Sequence, residues 1–246
     1  MRKSADVLLL VIAILALWQS IYWLLGDIAI ASPADTGAKL AALLGSARFW
    51  ADIWETLRAI IAASLLAIVI GLALGVALGV HRRSARVGEP LLATLYALPK
   101  VTLYPIVLLI FGLGISARIA FGVMHGVLPI TLFAMNAIRN IKPVVLRSAR
   151  ALQLTPTQTV TSVVVPAALP GIMTGVRIGV SVSLLGVLLG EMFASKRGLG
   201  FRLMSAIGNQ DLPSIMAIAV LLSVFALGVN ALLLHLGGRI HRRDEG

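Results

Sequence analysis

Three cations lie in or beside apolar segments long enough to cross a bilayer: Arg58, Lys100 and Arg177. The carboxylate inside such a segment is Glu191. A charge at the bilayer centre costs ~2.5–3.5 kcal/mol on insertion scales, so each cation needs a compensating role. Two roles are open: capping helix carbonyls or pairing with an acid, and forming a positive pocket for an anionic solute. Arg58, near the outer end of its segment, can also snorkel. Lys100 falls between Pro99 and Pro105, whose missing amides interrupt a helical hydrogen-bond ladder. Backbone freed at membrane depth is tolerated only where protein or a water-filled cavity satisfies it. The segment therefore reads as a pathway-lining helix or as a plain structural kink. Lys100, Tyr104, Arg177 and Glu191 are the candidate pathway residues. If the fifth span starts near Val165, Arg177 reaches a depth comparable to Lys100, and the two cations suit an anion.

Other chemistries find little support. His81, His125, His235 and His241 have no metal-ligand spacing, so no metal site is expected. His125 reads as a hydrogen-bonded packing residue, with a proton relay as the alternative. There is no cysteine, no Ser-His-Asp order and no pair of carboxylates. A Gly-x-x-x-x-Gly-Lys-Ser/Thr phosphate loop is also missing, so the chain cannot hydrolyse ATP by that route. No cofactor is expected in this chain. Active transport would need a separate ATPase or an ion gradient.

The elements that must position these residues are membrane spans. Of 246 residues, 59% are hydrophobic and 13% charged, far more apolar surface than a soluble domain needs. The net charge of +11 lacks aromatic interleaving, so nucleic acid is not expected as a partner. Six spans of about 20 residues can be drawn: Val7–Leu25, Leu57–Val80, Leu91–Leu113, Ile119–Ile138, Val165–Phe193 and Pro213–Leu236. The first is too long for a signal-peptide core, and Trp18, Tyr22 and Trp23 suit its outer interface. One set of span ends carries Arg2, Lys3, Arg82, Arg83, Arg86, Arg139, Lys142, Arg147, Arg150, Arg239, Arg242 and Arg243. The other carries only Lys39, Arg48, Arg118, Lys196, Arg197 and Arg202. The positive-inside bias puts both termini in the cytoplasm.

The expected organisation is a first span and outer connection over residues 1–56, a core over 57–238 and a basic cytoplasmic tail over 239–246. In the first outer connection, Ser32-Pro33-Ala34-Asp35 leads into a short surface helix through Leu44. A second outer connection, Ala194 to Leu212, turns at Gly198-Leu199-Gly200. Gly71, Gly75 and Gly79 form a small-residue stripe that lets a helix approach closely, from the same chain or a second subunit.

Between spans four and five lies a polar, basic loop at about 144–162. Val144 to Leu152 reads as a short helix. Thr155 can cap a second, Pro156 fits its first position, and Gln158 completes a capping-box pattern. Such a cytoplasmic helix-turn-helix has a good shape for docking to a soluble partner.

This loop resembles the cytoplasmic coupling loop of ABC-importer permeases, whose pattern is Glu-Ala-Ala, three residues, Gly, nine residues, Ile-x-Leu-Pro. Ser148 and Ala149 take the two alanine positions, and Val163, Val165 and Pro166 fall at the far end. Arg147 replaces the Glu and Gln153 the Gly. Leu98-Pro99-Lys100, Tyr104-Pro105-Ile106-Val107 and Phe111-Gly112-Leu113-Gly114 resemble span three of permeases in the nitrate, sulfonate, taurine and bicarbonate group. Thr56-Leu57-Arg58, Gly175-Val176-Arg177, Glu191-Met192 and Gly198-Leu199-Gly200 are similar to further segments of that group.

The resemblance implies an all-α membrane protein of six transmembrane helices with the type I ABC importer permease fold, N-in/C-in, in the bacterial inner membrane. Two copies would form the pore for a small anionic solute. Cytoplasmic ATPases, holding ATP and Mg, would dock on Arg147, Ser148, Ala149, Arg150, Gln153, Leu154, Thr155, Pro156, Val163 and Pro166. Ala149 to Thr161 would enter a groove on the ATPase, and a bulky acid at Ala149 would uncouple it. A periplasmic or lipid-tethered binding protein would deliver solute. In the family, Gly at the Gln153 position can end the first short helix in a left-handed conformation. A non-glycine residue there costs roughly 1–2 kcal/mol if the conformation is kept. Either the turn relaxes or the loop couples weakly, as one chain of a heteromeric pore would; the intact spacing favours a homodimer. The rival classes are an ion-coupled secondary transporter, which needs a carboxylate relay, and a membrane-embedded enzyme.

Overall fold

The computed structural model describes residues 2–26 and 28–241. Arg242 and Arg243 of the basic tail lie outside the described residues, as do the side chains of Arg2, Lys3, Arg82 and Arg239. Among the described residues the secondary structure is helical throughout: α1 (Arg2–Leu25), α2 (Pro33–Leu44), α3 (Ala47–Val80), α4 (Arg82–Ala97), α5 (Tyr104–Phe111), α6 (Ile115–Arg139), α7 (Pro143–Ala151), α8 (Pro156–Thr159), α9 (Val165–Ala194), α10 (Leu199–Gly208) and α11 (Leu212–His241). Five of the described stretches are long and apolar enough to cross a membrane: Asp6–Leu25, Ala47–Val80, Ile115–Arg139, Pro156–Ala194 and Leu212–His235. The third expected span is broken. Arg83–Ala97 and Lys100–Phe111 meet at 82°. Leu98 is extended (ψ 139), as the residue before a proline prefers, and Lys100–Leu103 form one 3-10 turn.

The chain divides into two compact units, Met1–Thr56 with Lys196–Phe225 and Leu57–Ser195 with Ala226–Gly246. In the first, Ser32 caps α2 by accepting from the Asp35 amide at 3.0 Å, with Pro33 in the first turn. The expected connection Ala194 to Leu212 contains α10 instead. Its start is fixed from a distance. Asp52 accepts from the Gly198 amide at 3.2 Å and from Arg202, while Thr56 accepts from the Leu199 amide at 2.8 Å. Gly198 turns the chain at φ 104, which favours glycine. After α10, Asp211 pairs with Lys39 at 3.1 Å and accepts from the Ser214 amide and hydroxyl. Burial pushes the Asp211 carboxyl up, but Ser214 and the Lys39 ammonium outweigh it and hold it below the usual carboxylate range.

The second unit is organised around α6. Helix α9 runs antiparallel to it, with Gly175 beside Phe133, Gly179 beside Ile130 and Gly186 beside Phe121. Helix α3 runs parallel, and the Gly71-Gly75-Gly79 stripe lies against Ile130, Ala134, Met135 and Ile138 of α6. A methyl group on Gly75 would stand 2.6 Å from the Ala134 Cβ. The stripe is thus an internal helix contact, one of the two readings the sequence left open.

Candidate functional site

The loop between α6 and α9 is built almost wholly from local hydrogen bonds. Pro143 starts α7, whose C-terminus closes in a Schellman motif. The Leu154 amide donates to the Ala149 carbonyl at 3.2 Å, and the Gln153 amide to the Arg150 carbonyl at 3.0 Å. Gln153 keeps the left-handed conformation, φ 53, although it is not glycine. The turn has not relaxed. Thr155 and Gln158 form the complete capping box. The Gln158 amide donates to Thr155 Oγ1 at 3.3 Å. The Thr155 amide donates to Gln158 Oε1 at 2.9 Å. A π-helical turn, Val160–Val164, then joins α8 to α9. Pro166 sits just after it with no amide to donate, and a locally widened turn accommodates such a gap.

The loop presents two faces. Ala149 is 2% exposed, turned into the protein, so it anchors the loop and is not available to a partner. Leu152 is 72% exposed, with Val144, Arg147, Ser148, Arg150 and Thr155 also on the surface. An acid at Ala149 would therefore disturb the fold of the loop before it touched any docking contact.

In the membrane-spanning part, the structure separates the residues grouped by sequence. Lys100 is 9% exposed. Its ammonium donates to the Tyr96 carbonyl at 2.8 Å. The same ammonium lies 4.7 Å from the centroid of the Tyr96 ring, a cation–π distance. It lines an apolar cavity of about 900 Å³ among α3, α4, α5 and α6. Arg177 does not line this cavity. It is half-buried on α9. Its neighbours Gly175 and Gly179 meet Phe133 and Ile130, beyond Leu128, the far end of the cavity on α6. Tyr104 and Glu191 come together near the other end of α9. Tyr104 donates its hydroxyl to the Gly190 carbonyl at 2.7 Å. Its ring stands edge-on to Phe121, with the centroids 4.7 Å apart. Glu191 is fully buried and pairs with Arg118 at 3.2 Å. His125 binds the Phe121 carbonyl at 2.9 Å, the packing role the sequence suggests.

Sequence reading counts Arg118 among charges at the outer span ends, and it does lie in the first turn of α6; what that reading misses is its burial, 4% exposed inside the second unit. α6 begins at Ile115, four residues earlier than the apolar run at Ile119 suggests, and this draws Arg118 into the helix. Its Nε also donates to the Gly114 carbonyl at 3.2 Å. The sequence clue is the lone intramembrane acid Glu191, which needs a cation that hydropathy assigns elsewhere. Arg58, by contrast, is exposed.

The family model of the binding-protein-dependent transport system inner membrane component matches residues 67–243. The chain belongs to this family. The match takes in the broken span from α4 onward, the α6–α9 pair and the whole loop between them. No curated protein matches this permease. Among solved structures it is similar to chains of the MetNI methionine ABC transporter in inward facing conformations. In one crystal form the TM-score is 0.66 at 22% identity, covering 76% of this permease and 93% of that chain. In another it is 0.65 at 23% identity, covering 77% and 94%. At that identity the likeness speaks for the fold, which is that of a type I ABC importer permease. A multi-pass membrane protein follows from the family and from the apolar helices together.

Proposed function

We propose that this permease forms the translocation pathway of an ATP-driven importer for a small anionic solute. Two copies make the pore in a bacterial inner membrane, with N- and C-termini in the cytoplasm. Cytoplasmic ATPase subunits, which bind ATP and Mg, dock on the α7–α8 loop, and a periplasmic or lipid-tethered binding protein presents the solute. The observation that carries this reading is the exposed, doubly capped helix-turn-helix between two membrane spans. It is rigid enough to transmit a push, and it displays Leu152 to the outside. On the alternatives drawn from the sequence, the retained left-handed Gln153 goes with a weaker coupler, and the homodimer rests on the intact motif spacing from Ser148 to Pro166. The anionic character of the solute rests on Lys100 in its apolar cavity.

Leu152→Asp is the direct test. It should reduce ATPase retention on the purified permease by a hot-spot-sized amount, about 2 kcal/mol, with membrane insertion unchanged. ATP-driven uptake in proteoliposomes should fall with it. Full retention and uptake in that variant would sink the docking assignment. Two distinct permease chains in the purified complex would overturn the homodimer. An ion-coupled transporter would need a carboxylate free to carry a proton, and pairing of Glu191 with Arg118 weighs against that role.

A further inference from the structure

The α7–α8 loop carries charge of one sign only. Between Glu89 and Glu191 the chain has no acidic residue. Those two carboxylates are already engaged, Glu89 by Arg139 and Glu191 by Arg118. Lys142, Arg147 and Arg150 stand exposed on the loop, and no carboxylate among the described residues pairs with them. Local structure accounts for one of the three. Arg150 lies in the last turn of α7, where a cation is favourable, and its Nε donates to the Leu146 carbonyl at 3.4 Å. Lys142 instead sits at the positive end of α7, whose first turn has no acid. Arg147 stands mid-helix, three residues from Arg150, a spacing at which like charges on a helix surface repel. It shares its exposed face with Val144, Ser148 and Ala151, and Leu152 follows with most of its surface open. Arg147 is also where this loop departs from the coupling-loop pattern by a reversal of charge, arginine for glutamate.

We propose that Arg147 decides which ATPase subunit this permease accepts, by pairing with a carboxylate on the rim of the groove that receives Leu152. An apolar anchor beside an arginine is matched by an apolar pocket with an acidic rim. An ATPase whose groove carries a cation at that point, as suits a loop with glutamate, is repelled. The partner is the ATPase and not the bilayer. Attraction to anionic headgroups is a diffuse effect of charge and needs no fixed shape. These cations instead ride on two short helices, one closed at its C-terminus and the other capped at its start. The proposal rests on the reading of the loop as the ATPase dock and adds the chemistry that selects the partner.

The experiment follows release of the ATPase subunit that copurifies with the permease, from the complex in nanodiscs, against ionic strength. Arg147→Gln should speed release roughly 10- to 100-fold, the size of one charge-assisted bond lost, and flatten the salt dependence. Arg147→Glu should release the ATPase faster still, and Arg147→Lys should lie between wild type and Arg147→Gln. Arg83→Glu, at an exposed position outside the loop, should change release little. Acid-to-lysine substitutions around the ATPase groove supply the decisive arm. One of them should restore binding to Arg147→Glu while weakening binding to the wild type. Unchanged release from Arg147→Glu, or a loss that no such substitution restores, overturns the proposal. So does an Arg147→Glu complex that keeps its ATPase and loses an anionic phospholipid in native mass spectrometry, which would give this face to the bilayer. If Leu152→Asp leaves the ATPase bound, the docking assignment itself has failed. If Leu152→Asp releases the ATPase while Arg147→Glu does not, the charge pairing alone has failed.

Discussion

The two ends of α9 are held in opposite ways. At the cytoplasm-directed end proposed above, the hydrogen bonds that shape the α7–α8 turn join residues no more than five positions apart. Those bonds lie at the surface, and a π-turn and two prolines separate them from the rest of the helix. At the other end, Tyr104 reaches Gly190 across 86 positions and Arg118 reaches Glu191 across 73, both in the interior. The first end takes its shape from local bonds, with Ala149 turned inward as its anchor. The second ties α5, α6 and α9 into one body. A helix anchored at one end and capped at the other is suited to carry a displacement of the loop into the membrane part.

The strongest way to break this contrast is to unpair the distant end. Glu191→Leu leaves Arg118 buried without its carboxylate and should destabilise by about 3–5 kcal/mol. The double variant Arg118→Leu with Glu191→Leu should lose much less. Thermal unfolding of the four proteins as a double-mutant cycle measures this, and additive losses would show that the pair anchors nothing.

Close approach at the glycines comes next. A methyl group on Gly126 would stand 2.0 Å from Ser183 Oγ and 2.9 Å from the Gly179 carbonyl. Gly126→Ala should therefore cost about 1–3 kcal/mol. Gly37→Ala, in α2 with nothing within 4 Å, should instead gain about 0.5–1 kcal/mol. If both variants unfold at the wild-type temperature, α6 and α9 do not depend on that approach.

The local end can be sharpened. Gln153→Gly removes a Cβ from a left-handed position and should stabilise the turn by about 1 kcal/mol. Amide exchange at Leu152 to Leu154 should slow by roughly fivefold, with uptake retained. Faster exchange would mean that the Gln153 side chain contributes a contact worth more than the strain.

The smallest effect is expected at the second Schellman motif, where Gln210 repeats the conformation with φ 54. There the local turn is tied to a distant residue through Asp211 and Lys39. The folded Asp211 carboxyl titrates below its unfolded value. Its contribution is therefore full above the unfolded value and disappears as pH falls through the folded one. Both side chains are over a third exposed, so the loss should stay within about 1 kcal/mol. Exchange at the Ser214 amide against pH reports it, and Asp211→Asn should flatten the curve. An unchanged acid-side loss in that variant would place the titrating group elsewhere.

How far each feature can be read from sequence follows the range of its interactions. Thr155, Pro156 and Gln158 specify their cap within four residues, and the structure has that cap. Ser32 specifies α2 in the same way. Pro99 announces a break in the third span, but not the size of the bend, which depends on what Tyr104 meets across α6 and α9. α10 reads as a loop in the sequence because its start is fixed by Asp52 and Thr56, 146 and 143 positions away in the chain.

By itself, then, the sequence determined six apolar segments, a break in the third, a basic bias of the loops and a self-capping turn between spans four and five. These are hydropathy and backbone effects, set by residues that are neighbours in the chain. Only the tertiary structure decided that the Gly71-Gly75-Gly79 stripe faces α6, that Ala149 turns inward, and that Arg118 is the partner of Glu191. It also put Lys100 in a cavity that Arg177 does not share. Each of those depends on which helix faces meet. Side chains of the same type, placed in the same kind of apolar run, leave that choice open until the helices pack.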